Sequence, residues 1–144
     1  MVGRRILAVD DDEALLNSLV PLLESEGYTV DTATTGQEAI AKTSEKRYDL
    51  MIVDMELPDM DGTNLLQRLP VDSSQTVKII LTAHLKMDKV VTALFRGADT
   101  YIMKPILPGE LLKIVKDKIN SRSSFARMDR ENAASWIERR AQKV

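Results

Sequence analysis

Three consecutive aspartates, Asp10, Asp11 and Asp12, follow the apolar run Arg5–Val9. Asp54 ends the run Leu50–Val53, Thr82 ends Val77–Leu81, and Lys104 follows Thr100–Met103. Short runs rich in apolar and β-branched residues read as strands, so each of these polar residues falls at the carboxyl end of a strand. In open parallel sheets ligands bind outside those ends, near the point where strand order reverses, and residues far apart in sequence then converge on one crevice. Converging carboxylates repel one another and raise their own pKa values unless a cation neutralises them. The donors here are all oxygens and the chain has no cysteine, which suits a hard ion such as Mg2+, with Mn2+ next, held by one or two carboxylates, waters and phosphate oxygens. The Lys104 ammonium can pair with one phosphoryl oxygen and the Thr82 hydroxyl can donate to another. Carboxylate, hard cation, hydroxyl and ammonium together make a site for transferring a phosphoryl group to an aspartate.

The elements that must position these groups alternate in type. Strands at Arg5–Val9, Tyr28–Ala33, Leu50–Val53, Val77–Leu81 and Thr100–Met103 are each followed by a segment of helical periodicity, the pattern of βαβ units and a parallel sheet. The helices are expected at Glu13–Glu26, Gly36–Ser44, Thr63–Leu69, Lys86–Phe95 and Gly109–Ile119. Leu15, Leu16, Leu19, Leu22 and Leu23 form one stripe on the first helix, which Gly27 should end and which Pro21 should deprive of one backbone hydrogen bond. Ala39 and Ile40 mark the buried side of the second. Pro58 and Gly62 mark a loop after the third strand. Five strands and five helices fit one doubly wound α/β sheet.

Composition narrows the class. A chain of 144 residues has room for one core, read as a domain over 1–120 and a tail over 121–144. With 44% hydrophobic and 29% charged residues it should fold. A formal charge of −2 gives no chain-wide attraction to nucleic acid. The N-terminal apolar run stops at the aspartates, too early for a signal peptide, and no stretch approaches the roughly 20 apolar residues of a membrane span. Together with the lack of cysteine, this makes a cytoplasmic location the expectation. In the tail, Arg122, Arg127, Arg130, Arg139, Arg140 and Lys143 outnumber Asp129, Glu131 and Glu138. Ala133, Trp136, Ile137, Ala141 and Val144 lie near one helical face, which suggests a basic amphipathic helix.

Four runs carry a resemblance to a known family: ILAVDDD at 6–12, YDLMIVDMELPDMDG at 48–62, VKIILTA at 77–83 and YIMKP at 101–105. In order and spacing they resemble the receiver domains of two-component response regulators, over residues 4 to about 120. The resemblance implies a flavodoxin-like (βα)5 sandwich with strand order 2-1-3-4-5. It implies that Asp54 is the phosphoacceptor, that Asp11 is a direct metal ligand and the Glu56 backbone carbonyl another, and that Asp10 acts on the metal indirectly, through a direct ligand or a bridging water. It implies that Thr82 closes on the phosphoryl group, that Lys104 pairs with it, and that Met55 and Ala83 flank it, the small Ala83 leaving it accessible. Tyr101 would be the aromatic whose rotamer follows Thr82, and the Lys104–Pro105 peptide would be cis. The implied partners are a histidine kinase or a histidine phosphotransfer protein. An output partner or a second copy would meet the face made by the fourth helix, fifth strand and fifth helix, with no membrane and no direct nucleic acid contact by this domain.

Plainer readings stand beside these. Asp10–Asp12 taken alone would be a helix N-cap cluster, and Asp12 is read that way in any case. Lys104 and Thr82 alone are ordinary surface and strand-end residues. Met51, Met55 and Met103 are read as packing rather than a cofactor box. His84, two residues after Thr82, and Glu56, two after Asp54, are placed to tune attack of water on a phosphoaspartate, although a lone histidine is more often an exposed loop residue. Two rival functions remain. One is a phosphatase of the haloacid-dehalogenase type, because VDDD and DMDGT resemble its Asp-x-Asp signature and would make Asp10 the nucleophile. The other is a receiver-like interaction module that is never phosphorylated.

Overall fold

The structure, a computed structural model, describes residues 3–70, 73 and 75–121. The chain order is β1 (Arg5–Val9), α1 (Glu13–Glu24), β2 (Thr29–Ala33), α2 (Gly36–Glu45), β3 (Leu50–Asp54), α3 (Gly62–Arg68), β4 (Val77–Thr82), α4 (Met87–Phe95) and β5 (Thr100–Met103). A last helix, α5, spans 108–121. All strand pairs are parallel, in the order β2-β1-β3-β4-β5. β1 is therefore flanked by both β2 and β3, and strand order reverses beside it.

The central strands are apolar at nearly every position because helices cover both faces. Successive side chains point to opposite sides. Leu7, Val9, Met51, Val53 and Ile80 pack with Ala39, Leu65, Leu66 and Ala93 under α2, α3 and α4. Ile6, Leu50, Ile52, Ile79 and Leu81 pack with Leu19, Leu23, Leu111, Val115 and Ile119 under α1 and α5. Fully burying each such side chain contributes roughly 1.5–3 kcal/mol, which makes these two clusters the main support of the strand tips.

Local chemistry sets the helix ends. Asp12 caps α1, its carboxylate accepting from Leu15 N at 3.2 Å, as the sequence suggested. Pro21 lies inside α1, which ends at Glu24, two residues before the expected position, and the chain then turns through Gly27 at φ 92°. The fifth helix is longer than expected at both ends. Gly62, read from the sequence as a loop marker, instead opens α3. A Cβ there would sit 3.0 Å from Asp54 O and 3.1 Å from Met55 Cα, so the glycine is required by a close approach of backbones rather than by a turn. Met51 and Met55 are buried as expected, whereas Met103 lies on the edge strand and is about half exposed. Among the described residues no helix is long and apolar enough to cross a membrane. The proposed tail helix lies outside the described residues.

Candidate functional site at the strand tips

Register levels the polar residues at one end of the sheet. Val9 pairs with both Ala33 and Val53, Asp54 with Leu81, and Thr82 with Met103. The residues just beyond Val9 and Met103 therefore share a rim with Asp54. There, carboxylate oxygens of Asp10, Asp11 and Asp54 lie within 4.8 Å of one another. Asp11 is exposed, while Asp10 and Asp54 are buried, Asp10 to 1% of its surface.

The cluster has few partners for its charge. Asp10 Oδ1 accepts from Asp12 N at 2.9 Å. Its Oδ2 pairs by charge with Lys104 Nζ at 2.9 Å, yet no donor meets it in hydrogen-bond alignment. Lys104 Nζ also stands 3.4 Å from Asp54 Oδ1. Burial pushes the Asp54 carboxyl above the ordinary carboxylate range and the neighbouring Asp10 charge pushes it further. Lys104 and the Glu56 backbone N–H oppose both without prevailing. Burial alone would lower the Lys104 pKa, but its contact with Asp10 and the charges of Asp54 and Asp10 raise it, so the ammonium stays charged. Among the described residues one cation thus stands against a cluster of three carboxylates, which leaves an electrostatic deficit that a divalent ion would fill. A buried oxygen lacking an aligned donor and an all-oxygen ligand set fit a hard cation.

The other expected residues are placed as follows. The Thr82 hydroxyl donates to His84 O at 2.6 Å and accepts from His84 N at 3.2 Å, so it is turned into its own loop. Ala83 and His84 are exposed. Met55 is buried in the core, and its amide donates to Leu81 O at 2.8 Å. The Glu56 side chain is exposed, and its backbone is tied to Asp61 by an isolated antiparallel bridge. The Lys104–Pro105 peptide is cis. Tyr101 is exposed and lines a cavity of about 10 Å³ with Met55, Thr82, Val90 and Leu94, beneath α4.

The loop after Asp54 contains contacts that were not singled out from the sequence. Asp61 caps α3, accepting from Asn64 N at 2.8 Å and from Thr63 Oγ1 at 2.6 Å, and its other oxygen accepts from Lys89 of α4 at 3.2 Å. Asp59 accepts from Gly36 N and Gln37 N of α2. An aspartate before a helical run signals a cap, so the role of Asp61 was open to inspection. The Lys89 and α2 contacts depend on tertiary folding. Both carboxylates of DMDGT are therefore engaged at helix starts, and neither joins the acidic cluster found among the described residues. This takes DMDGT out of the phosphatase reading, which then rests on Asp10 alone.

Comparison with known proteins agrees with this geometry. A family model described as the response regulator receiver domain matches residues 6–116. The chain is 39% identical over 130 residues to the transcriptional regulatory protein PmrA of Pectobacterium parmentieri, covering 89% of this chain and 59% of that protein. It spans about half the length of the curated relatives it matches. Among solved structures, a CheY-like receiver domain protein of Methanospirillum hungatei superposes with a TM-score of 0.83 at 40% identity, covering 85% of this chain and 98% of that one. The beryllofluoride-activated NtrC4 receiver domain dimer gives a TM-score of 0.77 at 35% identity, with 82% and 98% covered. With the sheet order, the acidic rim and the lysine opposite it all in place, the chain belongs to the response regulator receiver domain family of two-component systems.

Proposed function

We propose that the chain accepts a phosphoryl group on Asp54 from a histidine kinase or a histidine phosphotransfer protein, and that Mg2+ at the acidic cluster assists the transfer. The observation that carries this reading is the convergence of Asp10, Asp11 and Asp54, with Lys104 paired to Asp10 and Asp54. Asp10, Asp11, Asp54 and the Glu56 carbonyl would hold the ion, with Mn2+ as a substitute. When bound, it neutralises charge on the carboxylates and on the phosphoryl oxygens. An Asp54 carboxylate oxygen attacks phosphorus and forms an O–P bond as the N–P bond to imidazole breaks. The departing nitrogen keeps the electron pair and takes up a proton. Lys104 pairs with the transferred oxygens, and exposed Ala83 leaves the approach open. The side chain of Met55 faces the core, so its contribution to the phosphoryl surroundings is as a wall. Water later returns the free carboxylate and inorganic phosphate, at a rate that the exposed Glu56 and His84 side chains are placed to tune. The chemistry is confined to the protein's own aspartate, which makes it a signalling phosphoacceptor rather than an enzyme acting on other substrates.

The output follows from what a phosphoryl group would attract. Thr82 Oγ1 would leave His84 O to donate to the phosphoryl group, drawing its loop inward. Tyr101 would follow toward the small cavity it lines beneath α4, and α4 would shift to make room for the ring. That shift would alter a face where Met87, Val91, Leu94, Tyr101 and Met103 are exposed and Phe95 is 88% exposed. Exposed apolar side chains on α4 and the neighbouring β5 suit a partner protein or a second copy, in keeping with the activated dimer among the similar structures. The remaining expectations, a cytoplasmic location and a receiver unit ending near residue 120, fit the same reading.

The test is intact-mass measurement after incubation with Mg2+ and a small phosphodonor. A single phosphoryl adduct that is lost in Asp54→Asn supports the reading. No adduct on the wild type would favour an unphosphorylated interaction module. An adduct lost only in Asp10→Asn, with turnover of external phosphomonoesters, would restore the phosphatase.

A further inference from the structure

The loop Met55–Asp61 reverses direction tightly: Leu57 N donates to Met60 O at 3.2 Å, and Glu56 bridges Asp61. Asp59 lies at the tip of that reversal. Its Oδ1 accepts from Gly36 N at 2.8 Å and its Oδ2 from Gln37 N at 2.9 Å, the first two amides of α2. Helix 2 already has its own cap, because Thr35 Oγ1 accepts from Glu38 N at 3.1 Å and Glu38 Oε1 accepts from Thr34 N at 2.9 Å. The two remaining amides stand at a helix end where water would ordinarily serve them. They are met instead by a carboxylate 22 and 23 residues away. Met60 adds a second point of attachment, since a Cβ on Gly36 would lie 2.5 Å from Met60 Sδ. The Asp59 carboxyl lies below the ordinary range: burial, which would raise it, is outweighed by the amides of Gly36 and Gln37. At the other end of the same reversal the Glu56 backbone N–H reaches the Asp54 carboxylate.

We propose that Asp59 is a positioning residue for the cation: by stapling the loop tip to the α2 amides it holds the Glu56 carbonyl in register with the Asp10, Asp11 and Asp54 carboxylates. This rests on the reading above, in which that carbonyl and those carboxylates share Mg2+. A carboxylate with two N–H donors makes charge-assisted bonds, and a loop held at its tip has fewer conformations in which the carbonyl points elsewhere.

The experiment titrates Mg2+ calorimetrically into the full chain as wild type, Asp59→Ala, Asp59→Asn, Thr35→Ala and Asp54→Asn, at low salt and in about 0.5 M KCl to screen simple charge loss. Thermal unfolding is recorded for each. Asp59→Ala should raise the Mg2+ Kd about 10-fold at both salt concentrations, the lower end of what orienting groups contribute. Asp59→Asn keeps one acceptor and should fall between the wild type and Asp59→Ala. Thr35→Ala loosens the same helix start, so it should lower the Tm and leave the Kd unchanged. Equal Kd shifts in Asp59→Ala and Thr35→Ala, a shift seen only at low salt, or no shift would overturn the staple. If the wild type binds Mg2+ and Asp54→Asn does not, such a failure concerns Asp59 alone. A wild type that binds no Mg2+ overturns the metal reading and the staple together.

Discussion

At the amino-terminal end of the sheet, buried Lys78, only 6% exposed, donates from Nζ to Ser73 O at 2.7 Å and to Thr76 O at 3.2 Å. Beside it, Asp49 accepts from Arg5 N at 2.7 Å and Asp99 from Lys78 N at 2.8 Å. At the carboxyl-terminal end, three carboxylates crowd one ammonium, and Asp10 Oδ2 lacks an aligned donor. Both ends bury charge in the same sheet, but only the first satisfies it. Buried charge with its partners in place is part of the scaffold. Buried charge left in deficit is strain held by the surrounding core, and it marks where a ligand is expected.

The largest expected effect comes from breaking the satisfied end. Lys78→Ala leaves two buried carbonyls without their donor and removes a packed aliphatic stem, and it should cost about 3 kcal/mol in urea unfolding while leaving Mg2+ affinity unchanged. Next comes relief of the deficit. Mg2+ at about 100 times its Kd should stabilise the wild type by about 2.7 kcal/mol, and Asp11→Asn should abolish most of that gain in a thermal melt. Third, Asp54→Asn in metal-free buffer should unfold later than the wild type, by about 1 kcal/mol, because one of the crowded charges is gone. A loss of stability there would mean that the rim is not strained and would break the comparison.

The smallest effect sharpens the comparison through pH. Asp31 on β2 accepts from the Tyr48 hydroxyl at 2.7 Å, and that bond, opposed by burial and aided by Lys46, holds its carboxyl below the ordinary range. A depressed folded-state value contributes stability that is present above the unfolded pKa of about 3.9 and lost as pH falls through the folded value. Asp31→Asn should therefore be less stable than the wild type at pH 7, by under about 1 kcal/mol, and the gap should narrow only as pH falls below about 3.9, closing below the folded value. A gap that persisted in acid would place the contribution in packing rather than charge.

The strands were legible because each is a short apolar run whose end coincides with a change in chemistry. All five lie within a residue of their expected limits. Helix ends were read less well, because they depend on caps and on what the chain packs against next. Gly62 shows why: its need to lie beside Asp54 O is invisible until β3 and α3 are juxtaposed. Lys78 sits in an apolar strand and gave no local sign that the carbonyls of Ser73 and Thr76 would receive its ammonium. Met103 shares its residue type with Met51, yet one lies on an edge strand and the other at the centre of the sheet.

By itself the sequence determined the alternation of strands and helices and the type of residue at each strand tip, since periodicity and composition are local properties. It therefore also determined that carboxylates, a hydroxyl and an ammonium would be available for one kind of chemistry. Only the tertiary structure decided that the tips stand level, that Asp10 is left with an unaligned oxygen, that Thr82 turns toward His84, and that Asp59 and Asp61 fasten the intervening loop to α2 and α4. The reason is physical: register and burial arise from many weak contacts between distant segments, and charge deficit is a property of the volume they enclose rather than of any one residue.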